Sequence, residues 1–145
     1  MQASAQWIAE AVSGRLVGKD VPVTGPVVTD SREAQAGSLY VARRGESADG
    51  HAFVSGAVTR GAVAVIVEYE VDEAVAQIVV EDSTEALGAL ARAHVEKLRS
   101  SGDLDVIAMT GSVGKTTTKD LLLQIMSEDG PTVAPKLSFN NEVGL

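Results

Sequence analysis

The sequence contains no cysteine. That excludes disulfides, thiolate nucleophiles and cysteine-built metal sites. Aromatic residues are nearly missing, at 3% of the chain, so a core drawn from its 45% apolar content must be built from Val, Ala, Leu and Ile. No apolar run approaches the roughly 20 residues that span a bilayer. The N-terminus carries Glu10 and lacks a basic start followed by an apolar stretch, which argues against a secretory signal. Positive charge is also short: 12 Lys and Arg face 20 Asp and Glu, a net charge of −8. A broad nucleic-acid surface does not fit that balance. A phosphate ligand does, because backbone N–H groups and a few local cations suffice to hold it. These absences predict a soluble cytoplasmic protein with no nucleic-acid partner and no membrane insertion. No internal repeat or low-complexity tract is found.

What is present is a glycine turn carrying a lysine, in the run VIAMTGSVGKTTTK from Val106 to Lys119. It reads as a short apolar strand, a turn and the start of a helix. A polyphosphate needs donors that approach closely, and Gly111 and Gly114 let the backbone bend and present its N–H groups. The following helix aims its free N–H groups and positive dipole end at the same place. Lys115 would reach the β/γ-phosphates and the Thr116 hydroxyl would hold Mg²⁺. Thr110, Gly111, Ser112, Val113, Gly114, Lys115, Thr116 and Thr117 form the candidate phosphate site. The general pattern G-x-x-x-x-G-K-[ST] asks for glycine where this chain has Met109. That departure disfavours ordinary kinases and GTPases and points to a narrower class.

Ahead of this loop the pattern alternates strands and helices. Ser4 caps a short helix bearing Trp7, Ile8, Ala11 and Val12, ended by Gly14. Residues 15–17 and 21–23 read as two strands around a turn. Residues 27–29 and 38–42 are further strands. A helix is predicted over 50–60 with Phe53, Val54, Ala57 and Val58 buried, stopped by Gly61. Residues 62–67 are nearly all apolar and read as a strand buried on both faces, and 77–80 repeat the signal. Asp82 caps a long helix, with Glu85 three residues on. Its predicted buried face holds Leu87, Leu90, Ala91, His94, Val95 and Leu98. The polar stretch 100–103 is the best boundary. Beyond it come the 106–109 strand, a helix over 118–126, a break at 128–131 and a second strand at 132–134. The residues after 102 are too few for a complete doubly wound nucleotide domain. The expectation is the N-terminal part of a longer enzyme.

Three separated segments now converge. Asp30-Ser31-Arg32, the run GESADGHAF from Gly45 to Phe53, and TGSVGKTT from Thr110 to Thr117 together resemble the Mur ligases of peptidoglycan synthesis. The resemblance covers nearly the whole chain. It implies an α/β fold: a small N-terminal α/β UDP-substrate domain at 1–102, then the truncated start of a P-loop parallel-sheet domain at 103–145. It implies ATP and Mg²⁺ as cofactors and ATP-dependent amide formation through an acyl phosphate. Within the family, SVGKTTTK followed by Asn140-Asn141-Glu142 points to the member that adds D-Ala-D-Ala to UDP-MurNAc-tripeptide, a monomer when full length. Carried over by position, Lys115 and Thr116 are the catalytic pair, with Thr116 at the metal. Asp30, Ser31 and Arg32 line the UDP pocket, with Arg44, Gly45 and His51 near it. Asn140, Asn141 and Glu142 lie between nucleotide and muramoyl group. Turnover by this chain alone is not expected.

Several plainer readings stand beside these. Asp30-Ser31-Arg32 alone is a common turn. His51 also reads as a helix-entry residue, Arg43 and Arg44 as a solvated pair, and Lys119 as a solvated helix lysine. Glu142 reads equally as a metal ligand or a loop cap. His94 reads as structural and Trp7 as core. For function, a non-catalytic UDP-sugar-binding module and a ligase adding a different amino acid remain open. A P-loop switch protein lacks room for its switch loops after residue 120.

Overall fold

The computed structural model describes residues 2–45, 48–102 and 104–135. The chain divides into two compact units, Met1–Lys97 and Leu98–Leu145. The first runs β1 (Ala3–Ser4), α1 (Ala5–Ala11), β2 (Arg15–Val17), β3 (Pro22–Val23), β4 (Val27–Val28), β5 (Ser38–Val41), α2 (Val54–Thr59), β6 (Ala62–Val67), β7 (Ala76–Val79) and most of α3 (Ser83–Ser101). The second holds α4 (Lys115–Asp129).

Five strands form one sheet in the order β2-β7-β6-β5-β4. The β4–β5, β5–β6 and β6–β7 pairs are parallel, and β2 closes the edge antiparallel to β7. Successive side chains of a strand face opposite sides, and both sides of this sheet are covered. Leu39, Val41, Ala64, Ile66 and Ile78 face α1 and α3, packing with Ile8, Ala86 and Leu90. Tyr40, Ala42, Val65 and Val67 face α2, packing with Val54 and Ala57. That is why 62–67 could be almost continuously apolar. The α/β class is borne out, with the parallel strands in the first unit.

The element boundaries correct the sequence expectations in four places. Residues 15–17 and 21–23 do not pair with each other: β2 pairs with β7, while β3 joins β1 in a separate two-stranded sheet. The 50–60 helix is a 3-10 turn at Gly50–Phe53 followed by α2, because Asp49 caps the turn through the His51 N–H. Phe53 consequently stays 48% exposed. The buried face of α3 is Ala86 and Leu90 with Leu87 and Ala89 packed beside them, and Ala91 is exposed. Finally, neither 106–109 nor 132–134 forms a strand. A strand requires hydrogen-bonded neighbours, and the described part of the second unit contains none. Val106 and Ile107 are exposed there, and Val133 is 96% exposed.

Two local devices hold the connections around β7. Asp82 caps α3 by accepting the Thr84 and Glu85 N–H groups at 2.7 and 2.9 Å. Buried Gln77 braces the short β6–β7 connection, bonding Val71 N–H, Val71 carbonyl and Glu73 carbonyl. No helix among the described residues is long and apolar enough to cross a membrane.

Candidate functional site

Ligands of open α/β sheets bind beyond the carboxyl ends of the parallel strands. Four segments of the first unit emerge at that edge. They are Asp30–Arg32 after β4, Arg43–Arg44 after β5, Glu68–Tyr69 after β6 and Asp82–Thr84 after β7.

After β4 the chain turns through a 3-10 turn, Ser31–Glu33, capped by Asp30. The Asp30 carboxylate accepts the Arg32 N–H at 2.9 Å and grips its guanidinium through Nε (3.0 and 3.1 Å) and Nη2 (2.6 Å). The remaining edge of the fork is exposed. Hydrogen bonds from Arg32 hold the Asp30 carboxyl down to about 2, against an ordinary 3.8. A depressed carboxyl contributes stability that is complete above its unfolded value and lost as pH falls through its folded value. The pair is therefore expected to persist down to about pH 2, and its contribution disappears between about 3.8 and 2. A carbon-detected NMR titration checks this; an Asp30 midpoint near 3.8 would refute the pairing.

After β5 and β6 a denser network forms. His51 is buried, its side chain only 2% exposed. Its Nε2 accepts the Glu68 N–H at 2.8 Å, so its proton sits on Nδ1, which donates to Asp49 Oδ1 at 2.5 Å. The backbone N–H of His51, and then its ring, hold the Asp49 carboxyl below the usual carboxylate range. Tyr69 stacks on His51 at 4.2 Å and donates to Asp49 Oδ2 at 3.3 Å. The Arg44 guanidinium lies 5.7 Å from the Tyr69 ring centre, and its Nε faces Glu68 Oε2 at 3.1 Å and Asp49 Oδ2 at 3.7 Å. Glu68 Oε1 accepts from Ser83 Oγ at 3.0 Å and Ser83 N–H at 3.3 Å. Arg43 Nε donates to Thr84 Oγ1 at 3.3 Å. Tyr40 donates its hydroxyl to the Gly50 carbonyl at 2.9 Å, and burial pushes that phenol upward.

The sequence reading brought Arg44, Gly45 and His51 to this edge and missed Glu68, Tyr69 and Ser83. The available signal was positional: Glu68 is the first polar residue after the apolar strand β6. His51 uses both ring nitrogens within the network. Gly45 donates its N–H to the Ala48 carbonyl at 2.9 Å.

In the second unit, Thr110, Gly111, Ser112, Val113 and Gly114 form an exposed loop, and Lys115, Thr116 and Thr117 open α4. Gly111 (φ +158°) and Gly114 (φ +83°) both lie in the left-handed half of backbone space that glycine favours. No side chain caps the helix at Gly114. Lys115 Nζ donates to the Gly111 carbonyl, folding its ammonium over the turn. Lys119 instead bonds the Pro135 carbonyl and pairs with Asp120. An uncapped helix N-terminus, an ammonium over the turn and the Thr116 hydroxyl are a donor set suited to a phosphate chain and a hard cation. Asn140, Asn141 and Glu142 lie outside the described residues.

Residues 26–95 match the family model described as Mur ligase family, catalytic domain. A Synechocystis UDP-N-acetylmuramoyl-tripeptide–D-alanyl-D-alanine ligase is 39% identical over 82% of this chain and 26% of its own length. A crystal structure of MurF from Acinetobacter baumannii superposes with a TM-score of 0.86 at 37% identity, covering 99% of this chain and 32% of that one. A MurF ligase from Thermotoga maritima, in complex with ADP, superposes with a TM-score of 0.68 at 34% identity, over 84% of this chain and 28% of that one. The chain thus spans about a third or less of the relatives it matches.

Proposed function

We infer the function from one premise: the chain belongs to the Mur ligase family. The proposed activity of the full-length protein is ATP-dependent amide formation in peptidoglycan precursor synthesis, joining D-Ala-D-Ala to UDP-MurNAc-tripeptide. Because the relatives are about three times longer or more, turnover is assigned to the whole protein and substrate binding to this chain. A cytoplasmic, monomeric enzyme is part of the same proposal.

The observation that carries the reading is that Asp30–Arg32 and Arg44 with its network follow the adjacent parallel strands β4 and β5 at one carboxyl edge of the sheet. Two guanidinium groups at one sheet edge suit a nucleoside diphosphate, since planar forks match phosphate oxygens. Asp30 and Glu68 fix those forks in place. In the second unit Lys115 would release the Gly111 carbonyl and turn to the β/γ-phosphates, with the first-turn N–H groups around them. Thr116 would hold Mg²⁺. ATP with Mg²⁺ supplies the phosphoryl group that activates the substrate carboxylate, and the cationic donors offset the charge that develops. Asn140, Asn141 and Glu142 are proposed to lie between nucleotide and muramoyl group.

Calorimetric titration of this chain tests the assignment. UDP-MurNAc-tripeptide is expected to bind measurably and ATP·Mg weakly or not at all. Tight GTP binding would sink the ligase reading. Substrate competition in the full-length protein tests the acceptor: D-Ala-D-Ala should be preferred, and preference for a single free amino acid would reassign it within the family.

A further inference from the structure

We propose that Glu68 is a positioning residue of the substrate pocket, acting through Arg44 by locking its guanidinium to the first turn of α3. The proposal rests on the reading of Arg44 as a contact to the UDP-substrate.

Glu68 occupies the carboxyl end of β6, the middle strand of the five-stranded sheet. Its side chain is only 15% exposed. A carboxylate this withdrawn from water needs partners on both oxygens. Oε1 takes two donors from Ser83, and Oε2 takes the Nε of Arg44. Its backbone N–H is held by His51. Ser83 thus fixes the carboxylate and His51 the backbone of Glu68, apart from any contact with Arg44. Arg43 and Arg44 are adjacent, and so are the residues that restrain them: Arg43 bonds Thr84 directly, and Arg44 reaches Ser83 through Glu68.

The chemistry of this clamp depends on which nitrogen it uses. Nε is the inner corner of the guanidinium. The contacts of Arg44 with the two carboxylates are made by Nε, at 3.1 Å from Glu68 Oε2 and 3.7 Å from Asp49 Oδ2. A guanidinium held at that corner still has donors on its two terminal nitrogens, the bidentate edge. The Arg44 side chain is 58% exposed, so this edge is open to an incoming anion. An unrestrained arginine loses rotamer freedom when it binds; a prefixed one has already lost it. Glu68 also carries a negative charge near a site for an anion. That repulsion is countered by Arg44 itself and by the positive end of α3. The net effect of the carboxylate is ordering.

The test is a double-mutant cycle on binding of UDP-MurNAc-tripeptide to this chain. Glu68→Gln keeps the shape and an acceptor for Ser83 but removes the charge that grips Nε. It is expected to weaken binding about tenfold when Arg44 is present, and less than about twofold when Arg44 is alanine. Titrations extend to concentrations that saturate Arg44→Ala. Loss by the same factor in both backgrounds means that Glu68 merely supports the fold, and wild-type affinity in Glu68→Gln means that it does nothing for the ligand; either result overturns the proposal. Ser83→Ala provides a second reading that leaves both charges in place. It should weaken binding by a smaller factor, and that factor too should vanish in Arg44→Ala; persistence there overturns the proposal. If the wild-type chain fails to bind the UDP compound, the functional reading itself fails. If it binds and the cycle is additive, only the role of Glu68 does.

Discussion

Lys115→Ala in the full-length protein is expected to lower ATP-dependent ligation by about a thousandfold or more, the scale seen when a cationic or oxyanion donor is removed from acyl or phosphoryl transfer. Affinity for UDP-MurNAc-tripeptide should stay within about twofold, the scatter of a substitution outside the proposed pocket's own unit. The asymmetry follows from where the groups lie. Lys115 opens α4 in the second unit, while Asp30, Arg32, Arg44 and Glu68 belong to the first. Lys115 is half-buried over the loop and bonds the Gly111 carbonyl. Its removal takes away no core contact, so the loss reads as chemistry. Lys119 is tied to Pro135 and Asp120 and cannot take over without breaking both contacts. Initial rates of ADP release and calorimetric titration of the UDP compound measure the two quantities. Equal loss of both would show that the phosphate loop and the UDP pocket are not separate sites.

How much of this was legible in the sequence depends on the range of the forces involved. The strand 62–67 was readable because burial on both faces leaves a continuous apolar run. Gly61 was readable as a stop because its φ of +107° suits glycine. Asp82 and Ser4 were readable as caps because a cap acts within three residues. Pairing was not readable. Residues 15–17 look like one arm of a hairpin, yet β2 finds its partner in β7, far along the chain. The 106–109 run has strand composition but no neighbour in the described second unit, so composition alone misled. The site divides in the same way. Asp30–Arg32 is a local contact between residues two apart and could be read directly. Glu68 joins Arg44, His51 and Ser83 from three separate segments, and only the folded sheet brings those together.

Gly50→Ala should then damage both the fold and the pocket. A Cβ at Gly50 would lie 2.7 Å from both the backbone N and the carbonyl O of Arg43. Those atoms belong to the strand exit and cannot rotate away as a side-chain tip would. Gly50 also donates its N–H to the Arg43 carbonyl at 2.8 Å, and its own carbonyl accepts the Tyr40 hydroxyl. Forcing the two backbones apart should cost about 1–3 kcal/mol, the usual range for overpacking, read as a fall in melting temperature. It should also move Arg44 and the Asp49–His51 turn relative to each other, weakening the UDP compound by about tenfold (about 1.4 kcal/mol). Gly88→Ala is the contrasting case. It sits within α3 with only the tip of Arg92 nearby, at 3.8 Å. There alanine should stabilise by about 0.5–1 kcal/mol, because a helix interior favours it over glycine. The two substitutions combined separate global from local damage. If Gly50→Ala weakens binding only by unfolding the chain, adding Gly88→Ala raises melting temperature and affinity together. If the damage is displacement of Arg44, melting temperature rises and affinity does not. The second outcome is expected, because the clash lies one residue from Arg44, the guanidinium proposed to contact the UDP compound.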